Sequence, residues 1–437
     1  MKKSLLLIVI LLISASFLYA SGRQEAKVTG KPFAGREIVV FSSPDGPPDN
    51  KRIGPYVPSF EEETGAKVQW VEMKMPDVRQ KFSTMSVSQS PAVDVVAVGA
   101  VHMVEYASAG WIEDITDDID KDHFDDLTAL SACMYKGRLY GLPDSGDAKL
   151  FYWNKKLFGD AGLAPDTAPD TMDRVIEHAR KIAKDTNGDG KPDIFGFQPH
   201  GAANGKYTMF DYEMLYYMAG MDNFFDKSDD PVFNNEKGLK ALKYQQTLYK
   251  ENLIDPAMWT ITGYEEFFQR FSEGLSGMCF GWTSLWNFAK TRPSSKIQDD
   301  VAISVMPKIE RRAGMTGDQG FVISKYSKNK DVALAFLEHI NKPENTLDMM
   351  LRTGFLAGRK SVFLDPKVEE SELAPMLLTA GEQLQFYNSR FARPWAAEFQ
   401  MEVLGLAILR VLKNEMSPEE ALQWSEQKSY DLVKKYK

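Results

Sequence analysis

Three short apolar runs, separated by helical segments, constrain the fold of this chain more than any other feature. They are Glu37–Ser42 (EIVVFS), residues 66–73 (AKVQWVEM) and residues 93–98 (VDVVAV). Between them, residues 58–64 and 76–87 have helical spacing, and each segment begins at a proline, which the first turn of a helix tolerates. This alternation of strand and helix predicts an α/β fold with a largely parallel sheet and helices on both faces.

The same alternation continues along the chain. Further helices are predicted over residues 170–184, 238–250, 330–340 and 401–413, and a short strand over residues 321–324. Ser417, Pro418 and Glu420 form a capping box that predicts the start of a last helix. The 437 residues exceed what one hydrophobic core usually organises, so two domains are expected.

Residues 1–20 have the form of a secretory signal peptide, because two lysines precede an apolar run of the right length. No cysteine follows this run closely, so we expect a periplasmic protein released by cleavage rather than a lipid-anchored one. Residues 21–34 are small and polar and are predicted to be a flexible tether. The two cysteines, Cys133 and Cys279, are too few for a disulfide framework or a four-cysteine zinc site. Whether they pair stays open, as does the cleavage position.

The charge balance excludes some classes of partner. The chain carries 61 acidic and 52 basic residues, a net charge of −9, whereas binding to nucleic acid needs a basic face. Five histidines scattered along the chain leave little room for a histidine-rich metal site. No cofactor is expected to be required.

Residues 272–286 (SEGLSGMCFGWTSLW) place two tryptophans where α/β proteins usually bind ligands. A helical run over residues 263–271 leads to a short strand at residues 277–280, and Trp282 stands where this strand meets the next helix. Open sheets bind ligands beyond the carboxyl ends of their strands. Trp282 and Trp286 are therefore interpreted as platforms for the face of a sugar ring or for a cation. Packing of both in the core is the alternative.

A loop at residues 185–193 (DTNGDGKPD) has the pattern that begins an EF-hand calcium loop and directly follows a predicted helix. A glycine occupies loop position 12, where a bidentate glutamate belongs, so the pattern is incomplete. An ordinary turn rich in Asp, Asn and Gly is the alternative. A bound calcium ion would be structural, and its predicted ligands are Asp185, Asn187, Asp189, Lys191 and Asp193.

Residues 135–158 (YKGRLYGLPDSGDAKLFYWNKKLF) resemble a segment of the family 1 extracellular solute-binding proteins, in which "YGLP" and "YWN" mark the first crossing between two lobes. Residues 109–116 (AGWIEDIT), 317–324 (GDQGFVIS) and 393–423, which include SPEEAL, match the same family in the same order. The match covers most of the chain. The chain is similar to the maltose-binding branch of this family, whose members serve ATP-driven importers of sugars and related polyols.

This resemblance implies a periplasmic-binding-protein type II fold, in which two α/β lobes with mostly parallel or mixed sheets close over a solute. Lobe 1 would comprise residues 35–143 and 317–358. Lobe 2 would comprise residues 144–316 and 359–437, including the C-terminal helices. The protein would be a monomer that captures a sugar or polyol and delivers it, chemically unchanged, to an ABC permease with ATPase subunits. A secreted carbohydrate-active hydrolase using paired carboxylates is the alternative.

The resemblance also implies which residues reach the solute. Hydroxyls and a carboxylate in the loop after the first strand would bond to sugar hydroxyls, glycines would allow close backbone approach, and tryptophans would stack. For a single residue, a solvated turn or core packing is the alternative. The implied set is Ser42, Ser43, Asp45, Glu72, Gly99, Trp282, Trp286, Gly317, Asp318, Gln319, Arg359 and Trp395.

Overall fold

The computed structural model describes residues 30–43, 51–201, 205–261, 263–388 and 391–437. The predicted signal peptide, most of the predicted tether and Asp45 lie outside these residues. Within them, no helix is both long enough and apolar enough to cross a lipid bilayer.

The first sheet is mixed and has five strands in the order β2-β1-β3-β12-β6. The first three strands run parallel to one another, and β12 is antiparallel to both of its neighbours. This arrangement confirms the α/β fold expected from the alternating pattern. The strands of this sheet are β1 (Glu37–Ser42), β2 (Lys67–Glu72), β3 (Val95–Gly99), β6 (Gly141–Ser145) and β12 (Gln319–Ile323).

A second sheet has four strands in the order β10-β7-β9-β8. Here β9 pairs antiparallel with β7 and parallel with β8, and every residue of β9 is buried. The strands are β7 (Lys149–Asn154), β8 (Phe195–Gln198), β9 (Ser276–Trp282) and β10 (Val301–Ser304). Two short strand pairs complete the strands: β4 (Met134–Tyr135) pairs antiparallel with β5 (Arg138–Leu139), and β11 (Gly314–Met315) pairs parallel with β13 (Tyr387–Asn388).

The helices cover the faces of both sheets and start as their sequences predict. Pro58 and Pro76 lie in the first turns of α1 and α2, and the capping box at Ser417 forms with both of its hydrogen bonds. In chain order the helices are α1 (Val57–Thr64), α2 (Met75–Val87), α3 (Ala100–Ser108), α4 (Lys121–Asp126), α5 (Lys155–Asp160), α6 (Met172–Ile182), α7 (Gly205–Met218), α8 (Glu236–Lys250), α9 (Tyr264–Ser272), α10 (Ser284–Thr291), α11 (Lys330–Ile340), α12 (Pro343–Thr353), α13 (Pro366–Glu369), α14 (Ala374–Gln383), α15 (Ala396–Glu398), α16 (Leu404–Leu412) and α17 (Pro418–Tyr436).

The predicted helix over residues 401–413 differs from the structure at its start. A π-helical turn, Phe399–Val403, precedes α16, and it packs against α7 and α17. Tertiary packing therefore sets this boundary, which no local propensity encodes.

Each sheet organises its own core. On β1, Ile38 and Val40 point to one apolar cluster and Phe41 to another, because side chains alternate across a strand. A third and larger cluster surrounds the second sheet and includes α16 and α17. The two sheets are therefore the centres of separate cores, and the exact lobe boundaries given above stay predictions.

Three segments carry the chain between the two cores. The first joins β6 to β7, the second joins β11 to β12, and the third is residues 354–358, which follow α12. We call these the crossing segments. They pair with one another through isolated backbone bridges between Gly146 and Leu356 and between Ala148 and Thr316. The ends of the two sheets are consequently tied together at one place.

Replacement of Gly141 by alanine is expected to lower the free energy of unfolding. An added Cβ would lie 2.2 Å from the carbonyl oxygen of Phe321 on the neighbouring strand. Overpacking of this kind costs about 1–3 kcal/mol, which urea unfolding will measure. Gly381→Ala is the control, since the added methyl group in α14 meets open space and should stabilise the helix by roughly 0.5–1 kcal/mol. Equal stability of the two variants would contradict the packing at β6.

Candidate functional site

Strand ends from both sheets converge where the crossing segments meet. In the first sheet, the start of β12 at Gln319 pairs with Gly99 at the end of β3 and with Ser145 at the end of β6. In the second sheet, Lys149 at the start of β7 pairs with Trp282 at the end of β9. Because strand ends in such sheets are where ligands bind, this convergence is the candidate site.

Trp282 lies at the centre of the convergence and is only 5% exposed. The rings of His200, Phe210 and Tyr264 surround its indole at centroid distances of 6.1–6.4 Å and interplanar angles of 76–87°. A Cβ added to Gly317 would lie 2.7 Å from Cζ3 of the indole, so a backbone without a side chain is required there. The prediction brought Trp282 and Gly317 to one site, and the structure places them in contact.

The ammonium of Lys149 covers one face of the Trp282 indole, with Nζ 4.0 Å from the ring centroid. This is a cation–π contact in a desolvated position. A charged group therefore already occupies one of the two faces of the indole, and the expected stacking of a solute, which stays a prediction, is confined to the other face.

Lys149 begins a buried chain of three polar side chains. Its Nζ lies within hydrogen-bonding distance of His200 Nε2 and donates to the carbonyl oxygen of Phe280 at 3.3 Å. On the other side of the imidazole, Nδ1 lies 2.9 Å from Asp211 Oδ1. All three side chains are almost fully buried. We call Lys149, His200 and Asp211 the buried relay.

The imidazole of the buried relay is neutral. Burial, followed by the positive charge of Lys149, lowers the pKa of His200 to about 4. A neutral ring accepts from Lys149 at Nε2 and donates from Nδ1 to Asp211, so the ammonium and the carboxylate balance each other through it. The relay therefore contributes no net charge to the site.

Asp147 lies on the first crossing segment and faces the start of α10. Its carboxylate accepts from the backbone N–H of Thr283 at 2.7 Å, from the Thr283 hydroxyl, and from the Ser284 hydroxyl at 3.2 Å. Burial raises the pKa of Asp147 to about 6, although these hydrogen bonds oppose the rise. The carboxylate thus fixes β9, α10 and the crossing relative to one another.

Arg52 is a site residue that the sequence analysis did not identify. Its Nε lies 3.0 Å from Asp144 Oδ2 in a buried ion pair, and its Nη1 donates to Gln319 Oε1 at 2.9 Å. The guanidinium also lies 5.1 Å from the ring centroid of Phe355 on the third crossing segment. One side chain therefore contacts the end of β6, the start of β12 and the third crossing segment.

Other predicted residues lie at the same sheet edge with partners of their own. The Asp318 carboxylate accepts from the Ser131 hydroxyl at 2.6 Å, and the Ser42 hydroxyl donates to the carbonyl oxygen of Ser43 at 2.9 Å. Ser42, Ser43 and Asp318 are buried. Gly99 faces more open space, since an added Cβ would come no closer than 3.8 Å to Asp318 O.

Glu72, at the end of β2, forms an ion pair with Lys51 and accepts from the Trp70 indole at 3.1 Å. It is about one third exposed and lies at the outer edge of the first sheet. Its carboxylate is bound to these two residues rather than to the residues around Trp282.

Two further predicted residues have other roles in the structure. The Trp286 indole donates to the carbonyl oxygen of Glu372 at 2.9 Å and packs in the core around α10. The Arg359 guanidinium pairs with Asp126 at 2.7 Å and donates to the carbonyl oxygen of Asn341 at 3.1 Å. These contacts give both side chains partners within the protein, and the expectation that they reach a solute stays a prediction.

Trp395 packs against Phe225 and Tyr436, with centroid distances of 6.0 and 6.3 Å. It immediately precedes α15, which contacts α3, and α3 starts next to Gly99. The structure therefore brings Trp395 from the C-terminal helices towards the edge of the first sheet.

The loop at residues 185–193 closes on its own backbone. Both oxygens of Asp185 accept backbone N–H groups, from Gly188 and Gly190, and the Asn187 and Asp189 side chains accept from Asp189 and Lys191. The Asp193 carboxylate accepts from Thr186. Across the described part of the chain, no three acidic, histidine or cysteine side chains group closely enough to hold a metal ion. The calcium loop stays a prediction.

The buried relay predicts a pH dependence of stability. A histidine whose pKa falls from 6.5 unfolded to about 4 folded stabilises the fold above the unfolded value, and this contribution is lost as pH falls towards 4. Acidification from pH 7.5 to 4.5 should cost roughly 2 kcal/mol through His200. His200→Gln should remove this part of the slope in urea unfolding. The raised pKa of Asp147 makes its contribution to stability grow as pH falls, but this contribution is the same in the parent and in the variant. An unchanged slope would contradict a neutral buried imidazole.

The sequence of this chain is similar to those of known binding proteins. A family model described as bacterial extracellular solute-binding protein matches residues 56–376. The probable amino-acid ABC transporter periplasmic-binding protein y4oP of Sinorhizobium fredii is 26% identical over 369 residues, 82% of this chain and 80% of the relative. The galactooligosaccharide-binding protein of Bacillus subtilis is 23% identical and covers 86% of this chain and 84% of its own length.

A solved structure shares the fold. The ABC transporter solute-binding protein from Agrobacterium radiobacter K84, in complex with ribitol, superposes with a TM-score of 0.81 at 21% identity, covering 92% of this chain and 100% of that chain. The periplasmic-binding-protein type II fold expected from the resemblance is thereby confirmed. Since the family model spans most of the sequence, the chain belongs to the family of bacterial extracellular solute-binding proteins.

Proposed function

We propose that the protein captures a neutral sugar or polyol at the convergence of the crossing segments and delivers it unchanged to an ATP-driven membrane importer. The observation that carries this proposal is the contact between Trp282, on the second sheet, and Gly317, between the sheets. Aromatic, hydroxyl and carboxylate groups from both sheets surround this contact, and such a mixture suits a polyhydroxylated solute.

The pairing of charges supports a neutral solute. Arg52 is paired with Asp144, and Lys149 is linked to Asp211 through a neutral imidazole. A free amino acid would need a cation for its carboxylate and an acid for its ammonium group, whereas here Arg52 is already paired with an acid and Lys149 is bound to His200. One relative is named for galactooligosaccharide and a structural neighbour holds ribitol, which agrees with this reading, although another relative is named for amino acids.

The carboxylates at the site support binding without chemistry. Asp147 accepts from a backbone N–H and two hydroxyls, and Asp144 is in an ion pair. A glycosidase needs one carboxyl group that donates a proton to the leaving oxygen and a second that is free to act as base or nucleophile. These two carboxylates instead accept hydrogen bonds that hold the crossing together.

Delivery implies a second conformation of the protein. The solute would favour the closed arrangement of the two sheets, which the permease and its ATPase subunits would recognise. We place this exchange outside the cytoplasm, with residues 1–20 removed as a signal peptide and the protein acting as a monomer.

A panel of solutes tests the proposal. Purified protein should melt at a higher temperature with one or more sugars or polyols and not with amino acids, because binding to the native state alone adds about 2.7 kcal/mol at a hundredfold excess over Kd. Mass spectrometry should recover the solute intact. Stabilisation by amino acids alone would overturn the solute class, and release of smaller sugars would favour a hydrolase.

A matched pair of glycine variants tests where the solute binds. Gly317→Ala places a methyl group against the Trp282 indole and should weaken binding of the solute about tenfold or more, as measured by calorimetry. Gly381→Ala, on the exposed side of α14, should bind like the parent. Equal affinity of both variants would move the site away from the crossing.

A further inference from the structure

The indole nitrogen of Trp282 is a buried hydrogen-bond donor that the described residues leave without an acceptor. Other tryptophans satisfy theirs: Trp153 donates to Pro165 O at 2.7 Å and Trp286 donates to Glu372 O at 2.9 Å. An unmade hydrogen bond of a buried donor costs about 1–3 kcal/mol. Such a donor in a solute-binding protein is a candidate contact for the solute.

Trp395 shares this property. Its Nε1 is also buried and has no acceptor in the described part of the chain. Both residues pack in the second core. Gly317 of the second crossing segment lies against Trp282, and Trp395 immediately precedes α15, which contacts α3 beside the first sheet. The same two residues were assigned to the solute from the sequence, on independent grounds.

The two sides of the Trp282 indole face different parts of the protein. Gly317 lies against Cζ3 and Cη2 on the benzene side of the indole. Nε1 belongs to the pyrrole side, so it faces away from the second crossing segment. A solute at this donor would therefore meet the edge of the indole, not its face.

Lys149 changes what this indole can recognise. Its ammonium, 4.0 Å above the ring, occupies one face and draws electron density from the π-system. An indole polarised in this way is a poorer platform for C–H groups or cations and a stronger N–H donor. The buried relay holds the ammonium in that position through His200 and Asp211.

We propose that Trp282 and Trp395 recognise the solute as hydrogen-bond donors, through their indole N–H groups, to hydroxyl or ring oxygens, and that Lys149 is the positioning residue that polarises Trp282. This inference rests on the proposed function and specifies its chemistry. The solute presents uncharged oxygen acceptors at both indoles. An ammonium group is excluded next to Trp282, because it has no lone pair to accept the N–H and Lys149 repels it.

Tryptophan-to-phenylalanine variants separate donation from stacking, because phenylalanine keeps an aromatic ring and lacks the N–H group. With a sugar or polyol that binds the parent, Trp282→Phe and Trp395→Phe should each raise Kd about tenfold or more. Trp153→Phe is the matched control, since its N–H already donates to Pro165 O and Trp153 is outside the predicted solute-binding set, so its Kd should equal that of the parent. Retention of the parent Kd by Trp282→Phe would overturn the proposal.

Nuclear magnetic resonance of the parent protein keeps the test valid if a variant fails to fold. In ¹⁵N-tryptophan-labelled protein, the Nε1–H resonances of Trp282 and Trp395 should shift downfield when the solute is added, and that of Trp153 should stay. In Lys149→Met the Trp282 resonance should shift upfield before any solute is added, with recovery in Lys149→Arg. An unchanged Trp282 resonance in Lys149→Met would remove the positioning role, since a merely structural lysine would leave it in place.

Failure of this inference is distinguishable from failure of the proposed function. If no sugar or polyol binds the parent, the function is wrong. If one binds and the phenylalanine variants bind it equally well, the function stands and recognition through the indole N–H groups is wrong.

Discussion

Backbone pairing among the three crossing segments is the constraint on which the candidate site depends. Gly146 and Leu356 exchange two hydrogen bonds, at 2.8 and 3.0 Å, and the Gly317 N–H donates to Asp147 O at 2.8 Å. Because these bonds join the segments to one another, the ends of two separately packed sheets lie next to each other. Asp147 and Lys149 lie on or beside the first segment, whereas Trp282, His200 and Asp211 come from more distant parts of the chain. A residue without a side chain is required at position 317, where an added Cβ would lie 2.7 Å from the indole of Trp282.

Charge is the second constraint, because the groups at the crossing are almost completely removed from water. A buried ion is tolerated only with a partner, and loss of one partner leaves the other uncompensated at a cost of about 3–5 kcal/mol. Lys149 and Asp211 depend on each other in this way through His200, as Arg52 depends on Asp144. Such pairs add little net stability compared with apolar packing, but they allow few alternative arrangements. The electrostatics of the site thus fix the geometry around Trp282 without adding net charge to it.

Local patterns were sufficient to predict most of the fold. The strand at Glu37–Ser42, the helix at Lys330–Ile340 and the capping box at Ser417 all form as their residues indicate, because each depends on neighbours in the sequence. The start of α16 was missed because a π-helical turn packed against α7 replaces the predicted first turn.

The site was less accessible to sequence reasoning. Trp282 and Gly317 were identified because strand ends and glycine turns are visible in sequence, whereas Arg52 was not, since its partners lie far along the chain. Closeness to Trp282 in sequence could not reveal that the Trp286 N–H donates to Glu372. A lysine at the start of the apolar strand KLFYWN was a visible signal for the buried relay, since a charge inside a buried strand requires a partner.

The two unsatisfied indole donors connect the energetics of the site to its proposed action. A conformation that buries a donor without an acceptor is less stable than one that hydrates it, so without solute these groups oppose closure of the sheets over the site. Solute oxygens that accept these N–H groups remove this penalty only in the closed arrangement. The difference in affinity between the open and closed arrangements, which any ligand-driven change requires, then arises from hydrogen bonds that the protein itself leaves incomplete.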